Sequence, residues 1–215
     1  MLLISFEGID GSGKSTQVEL LREYLVDAGY QPLIVREPGG TDLSERVRTL
    51  LLDEDVDIEP MAELLLFSAA RAQLSREKIR PALEAGRIVI CDRFYDSSTA
   101  YQGAGRDVAV SEVDNGWLKE LHRRATGGLV PDRTYLVEVD AQTALDRRSS
   151  QRTGPDRMEG APESFYTRVA SAYDILARNE PERFLRLDGE DSISGIQGKI
   201  RADVDRLLDS ARTGA

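Results

Sequence analysis

The sequence predicts an α/β fold, a five-stranded parallel sheet flanked by helices, with a small lid segment. Three observations carry that expectation. Short apolar runs alternate with helical patterns along the whole 215-residue chain, as in a parallel sheet built from strand–helix–strand units. Gly8-Ile9-Asp10-Gly11-Ser12-Gly13-Lys14-Ser15 fits G-x-x-x-x-G-K-[ST] and lies between an apolar run and a helical pattern, the context that gives this motif its specificity. A later apolar run, Ile88-Val89-Ile90-Cys91, ends in Asp92.

The elements follow in order, and together they describe a sheet of the P-loop NTPase type. Leu2-Leu3-Ile4-Ser5-Phe6 is an unbroken apolar stretch, which suits a strand over 2–7 buried on both faces. The glycines after it let consecutive N–H groups turn inward on a phosphate chain, at the N-terminus of a helix over 14–28. Gly29 ends that helix as a C-terminal glycine should. A strand over 33–36 leads into Arg36-Glu37-Pro38-Gly39-Gly40-Thr41, at the edge where parallel sheets present ligand loops. Helices over 41–52 and 60–85 come next, the second ended by Gly86. Glu63, Phe67 and Arg71 are spaced four apart on it and share one face. After the strand over 88–92, Ser97-Ser98-Thr99-Ala100-Tyr101-Gln102-Gly103 reads as a sugar and base pocket or as a capped helix start. A helix over 111–124 holds the sole histidine, His122, which its polar neighbours assign to the surface with no role. A strand over 134–139, helices over 141–148 and 162–179, a strand over 184–187 and a helix over 193–210 complete one domain, 1–215. The polar stretch 149–157 is expected in a lid at about 148–160 that carries Arg148, Arg152 and Arg157.

Composition narrows the function. A net charge of −10 argues against a large nucleic-acid footprint. No apolar run reaches the length of a membrane span, so no membrane partner is expected. One cysteine, Cys91, cannot make an internal disulfide, which fits a reducing cytoplasm.

The motifs narrow it further. Lys14 should reach the β- and γ-phosphates of a nucleoside triphosphate, with Ser15 and Asp92 as ligands for Mg²⁺. Hydrolytic ATPases commonly follow that aspartate with a glutamate that polarises water. Arg93 stands here instead. An arginine stays protonated and cannot be a base, but it can hold an anionic acceptor. The chemistry indicated is phosphoryl transfer to an acceptor that is already ionised, which needs cations rather than a base.

The markers Phe6-Glu7-Gly8-Ile9-Asp10-Gly11-Ser12-Gly13-Lys14-Ser15-Thr16, Arg36-Glu37-Pro38-Gly39-Gly40-Thr41 and Cys91-Asp92-Arg93-Phe94, running into Asp96-Ser97-Ser98-Thr99-Ala100-Tyr101-Gln102-Gly103, resemble those of the bacterial thymidylate kinases over essentially the whole chain. The resemblance implies transfer of the γ-phosphoryl group of ATP to dTMP, Mg²⁺ as cofactor and a homodimer. It implies that Phe67 stacks on thymine, that Arg71 contacts its O4, and that Ser98 and Gln102 surround the ring. Tyr101 then packs near the deoxyribose, and Arg48 and Arg93 clamp the acceptor phosphate. Glu37 and Pro38 belong to the loop facing that phosphate, and Asp10 reaches the acceptor's 3′-hydroxyl region. Gly8, Asp10, Gly11, Ser12, Gly13, Lys14, Ser15 and Thr16 hold the triphosphate, and Arg147 or Arg148 packs near adenine. Because Gly11 follows Asp10 where some members carry a basic residue, the catalytic charge is expected from the lid, at Arg152 or Arg157, alongside Lys14, Asp10 and Arg93. The alternatives are another pyrimidine nucleotide or deoxynucleoside kinase, with Glu37 as base, and a regulatory ATP-binding protein.

Overall fold

The strand that carries the phosphate-binding loop lies at the centre of the sheet. In the computed structural model, which describes residues 1–108, 116–150 and 161–213, β1 (Leu2–Glu7) pairs in parallel with β3 (Ile88–Asp92) on one side and β4 (Arg133–Glu138) on the other. β2 (Leu33–Arg36) and β5 (Phe184–Asp188) form the edges, giving the order β2-β3-β1-β4-β5. All six residues of β1 are buried, as the unbroken apolar run requires of a central parallel strand.

Alternation along the strands divides the core between the two faces. Leu2, Ile4, Phe6, Ile88 and Ile90 meet Leu21 and Leu25 of α1 (Lys14–Asp27) and Ile200 and Val204 of α9 (Ile193–Thr213). The residues between them, Leu3, Val89 and Cys91, pack on the opposite side with Leu74 and Phe94. The same side holds a cluster around Phe165, Val169 and Tyr173 of α8 (Glu163–Asn179).

Two helical segments differ from the sequence reading. The expected helix over 60–85 is α3 (Pro60–Leu74), a π-helical turn (Ser75–Ile79) and α4 (Arg80–Glu84) in succession. Pro81 has no N–H to give the preceding turn, and a wider turn upstream accommodates the loss. The stretch after Asp92 is helical: α5 (Tyr95–Ser98) runs into a second π-helical segment (Thr99–Gly105). α2 (Asp42–Leu52), capped by the Thr41 hydroxyl on the Ser44 N–H at 3.1 Å, precedes the first of these segments, and α6 (Gly116–Thr126) follows the second. Residues 109–115 of the expected helix over 111–124 lie outside the described residues, as do 151–160 of the expected lid. α7 (Ala141–Ser150) leads up to that lid.

His122 is not on the surface. Leu118, His122 and Thr126 are the buried residues of α6, spaced four apart, and this stripe outweighs the charged neighbours that suggested exposure. The ring stacks on Tyr95 at 5.5 Å, and Nε2 lies 3.0 Å from the Thr99 hydroxyl. Burial, with the nearby Arg71 charge, pushes its pKa down from 6.5 to about 3. The unfolded chain therefore binds one more proton than the folded one between those values, so this group's contribution to stability is complete above 6.5 and declines as pH falls. From about pH 7.5 to about pH 5 the loss from this one group is about 2 kcal/mol. His122→Gln is expected to lose about that much less between the two conditions, measured by urea denaturation; an equal loss in both proteins would refute the assignment.

Candidate active site

The described candidates of the phosphate-binding loop and of the acceptor cleft gather at the C-terminal edge of the sheet. The loop after β1 turns through Gly8 and Gly11, both at positive φ. A Cβ at Gly8 would collide with the Val137 carbonyl and one at Gly11 with the Ala144 carbonyl, so the loop closes on β4 and α7 only with glycine there. Lys14 is buried, with Nζ 3.4 Å from the Ile9 carbonyl and 3.7 Å from Asp10. Burial, together with the nearby Arg93 charge, lowers its pKa, and Asp10 and Asp92 oppose the shift. Ser15, in the first turn of α1, donates to Asp92 at 2.6 Å. A hydroxyl and a carboxylate oxygen placed together in this way fit Mg²⁺, a hard cation that takes the rest of its shell from water and phosphate oxygens.

Beside the loop, one cleft is lined by all nine residues assigned to the acceptor: Glu37, Pro38, Arg48, Phe67, Arg71, Arg93, Ser98, Tyr101 and Gln102. Asp10 and Ser97 line it too. At one end Arg71 is fully enclosed. Its Nε donates to Glu37 at 2.7 Å and its Nη2 to Ser98 Oγ at 3.0 Å, while Nη1 is buried with no acceptor among the described residues. Glu37 Oε1 is likewise buried with no partner. Burial raises the Glu37 pKa against the pull of Arg71. Gln102 donates to the buried Glu63 at 2.9 Å, so Glu63, from the predicted face of α3, braces the cleft from behind. Arg48 donates to the Pro38 carbonyl at 3.0 Å.

At the other end the Arg93 backbone adopts φ 73, in the left-handed region that costs a side-chain-bearing residue about 1 kcal/mol or more. That conformation turns the guanidinium back over the phosphate-binding loop. Nη2 donates to Asp10 at 2.7 Å and to the Tyr101 hydroxyl at 3.1 Å, and Nη1 to Ser97 Oγ at 3.0 Å. Tyr101 also donates to the second Asp10 oxygen at 3.0 Å. Burial by itself would raise the Asp10 pKa, but Arg93 and Lys14 outweigh it and hold the carboxyl well below the usual range.

Of the remaining sequence-derived candidates, Arg152 and Arg157 lie outside the described residues, and only the backbone of Arg148 is described. Arg147 donates to the Gly189 carbonyl at 3.0 Å, just past β5. Three buried groups escaped the sequence reading. Glu7 ends β1, and burial and the Asp96 charge raise its pKa to about 7 against the pull of Arg93. Asp96 forms a buried ion pair with Arg183 at 2.6 Å. Tyr173 bonds Glu7 at 2.9 Å from α8. A carboxylate closing an otherwise apolar strand was the available signal for Glu7; the other two depend on pairings across more than seventy residues.

Comparison with known proteins gives consistent matches. The family model described as thymidylate kinase matches residues 6–200. A thymidylate kinase of Chlorobaculum tepidum is 45% identical, with 96% of this chain and 98% of that protein covered. One from Deinococcus radiodurans is also 45% identical, covering 94% and 96%. Among solved structures, the thymidylate kinase of Ehrlichia chaffeensis superimposes with a TM-score of 0.76 at 34% identity, covering 95% of this chain and 98% of that one.

Proposed function

Since the chain belongs to the thymidylate kinase family and phosphorylates dTMP, we propose that the cleft beside the loop after β1 holds dTMP and that the loop itself holds the triphosphate of its co-substrate ATP. The observation that carries this reading is Arg71 Nη1, a buried donor without an acceptor beside Phe67 in that cleft. A pyrimidine stacked on Phe67 meets it with the thymine O4 carbonyl. Cytosine would offer an amino donor at the same place, leaving two donors face to face. Glu37, bonded to Arg71 Nε, fixes the fork that reads the base.

The reaction then requires alignment and charge neutralisation. An ionised oxygen of the dTMP phosphate attacks the γ-phosphorus, the bond to the β–γ bridging oxygen breaks, and ADP leaves with that electron pair. Arg93 and Arg48 hold the acceptor phosphate. Lys14 neutralises charge on the β- and γ-phosphates. Tyr101, tied to Asp10, packs at the deoxyribose. Mg²⁺, held by Ser15 and Asp92, would supply further neutralisation between the phosphates. Arg152 and Arg157 are proposed to bring the lid's charge to the transferring group.

We also propose a homodimer formed through α2 and α3, two helices that pack together and on which Leu43, Leu50, Met61 and Leu65 are exposed. A concentration-independent monomer in sedimentation would refute it. Among the described residues no helix is long and apolar enough to cross a membrane. A single cysteine, Cys91, leaves no internal disulfide to form, which supports a reducing cytoplasm.

Coupled ADP release tests the acceptor assignment with dTMP, dUMP, dCMP and thymidine in turn. Fast turnover with dTMP, slower with dUMP and none with dCMP or thymidine is expected. Turnover with thymidine would instead require a base for its 5′-hydroxyl and would move Glu37 into that role.

A further inference from the structure

We infer that Glu7 is a positioning residue, which aims the Arg93 guanidinium at the acceptor phosphate through two hydroxyl relays. The inference rests on the reading of Arg93 as the clamp on that phosphate. Glu7 is fully buried at the end of β1. Its Oε1 accepts the Phe94 N–H at 2.8 Å, the first peptide after the left-handed Arg93. Its Oε2 accepts the hydroxyls of Ser97 at 2.5 Å and Tyr173 at 2.9 Å.

Those two hydroxyl oxygens are also the acceptors for Arg93 Nη1, at 3.0 Å from Ser97 and 3.4 Å from Tyr173. A hydroxyl has one proton. When the proton points at the carboxylate, the lone pairs are left for the guanidinium. The Ser97 and Tyr173 oxygens lie 3.0 Å apart, so without the carboxylate one would donate to the other and cease to serve Arg93 equally. In its ionised form Glu7 therefore sets the polarity of both bridges. The two terminal nitrogens of Arg93 divide the labour: Nη1 is anchored through the relays, while Nη2 faces Asp10 and the cleft. An arriving phosphate competes with Asp10 at Nη2. The Nη1 anchor then keeps the guanidinium plane in place.

Glu7→Gln preserves size and removes this function. With its oxygen toward Phe94 N–H, the amide N–H₂ donates to the two hydroxyls, so one proton turns to the other hydroxyl and the remaining one is set against Arg93. With the amide turned over, N–H₂ faces the Phe94 N–H. Either orientation sets donor against donor.

The experiment measures kcat and both KM values, with thermal melting, for the wild type, Glu7→Gln, Ser97→Ala/Tyr173→Phe, the triple variant and Arg93→Ala. Glu7→Gln is expected to lower kcat/KM for dTMP by roughly 10- to 100-fold, the scale of a misplaced catalytic contact, with the KM for ATP within about twofold. The relay double variant should lose a similar factor, and the triple variant no more than either, because all three act through one guanidinium. A Glu7→Gln enzyme within about threefold of wild type for dTMP, while Arg93→Ala is crippled, would overturn the inference. So would a loss shared equally by dTMP and ATP that tracks a fall in melting temperature. If Arg93→Ala itself leaves dTMP turnover intact, the clamp reading fails, and that result is distinct. If Glu7→Gln does not fold, Tyr173→Phe decides the matter: it removes one bridge without adding an amide and should raise the dTMP KM several-fold, an unchanged KM refuting the relay.

Discussion

Arg93→Ala is expected to lower kcat/KM for dTMP by about 10³-fold or more, the range seen when an arginine that neutralises a phosphoryl transfer is removed. The size of the effect follows from what surrounds the side chain. Arg93 makes hydrogen bonds to Asp10, Tyr101, Ser97 and Tyr173, so its guanidinium is already oriented before any substrate arrives. It is also mostly enclosed, with its side chain 15% exposed, so solvent screens its charge poorly. Alanine keeps the Cβ and with it the left-handed backbone strain, and Asp10 keeps Lys14 at 3.7 Å. The fold should therefore survive, with the loss confined to the acceptor. Arg93→Lys restores the charge without the fork and should recover only part of the activity. Steady-state kinetics with dTMP varied at saturating ATP reads this directly. An alanine variant within tenfold of wild type would show that Arg93 serves only to neutralise Asp10.

Lys14→Ala is expected to lower kcat by about 10²- to 10³-fold, the usual result of removing one group that stabilises developing charge, while dTMP binding remains close to that of the wild type. Lys14 is nearly excluded from solvent, and among the described residues its Nζ is held only by a long contact to the Ile9 carbonyl and by Asp10. Such a cation is free to turn to the γ-phosphate when ATP enters. Its removal should not touch the base-reading end, where Arg71 donates to Glu37 and Ser98. Single-turnover kinetics and calorimetric dTMP titration separate the two quantities. Loss of dTMP affinity in step with kcat would mean that Lys14 organises the whole cleft.

The parts of the site that the sequence made legible are those written as local patterns. The phosphate-binding loop, the Asp92-Arg93 pair and the Glu63–Phe67–Arg71 stripe each depend on residues a few positions apart, and each meets the others at the sheet's C-terminal edge. The strands were read to within a residue because parallel strands buried on both faces are plain apolar runs. The failures are non-local or averaged away. His122 was judged by its charged neighbours when its partners lay at every fourth position and across the fold, on Tyr95 and Thr99. The π-helical turns leave no distinct signature in hydrophobic periodicity. Glu7 looked like the polar end of a strand; its role exists only once Phe94, Ser97 and Tyr173 have converged on it.

The central position of β1 has a consequence for how the protein is made. β1 leaves the ribosome well before its two neighbours, at 88–92 and 133–138. One of its amide edges has no native partner until 88–92 has been synthesised, and the other none until 133–138 has. The nascent chain thus holds a complete phosphate-binding motif without a phosphate-binding site, and nucleotide cannot stabilise it early. Until β3 has been made, Leu2 to Phe6 is an unpaired apolar strand, the kind of segment that chaperones shield and that aggregates when they do not.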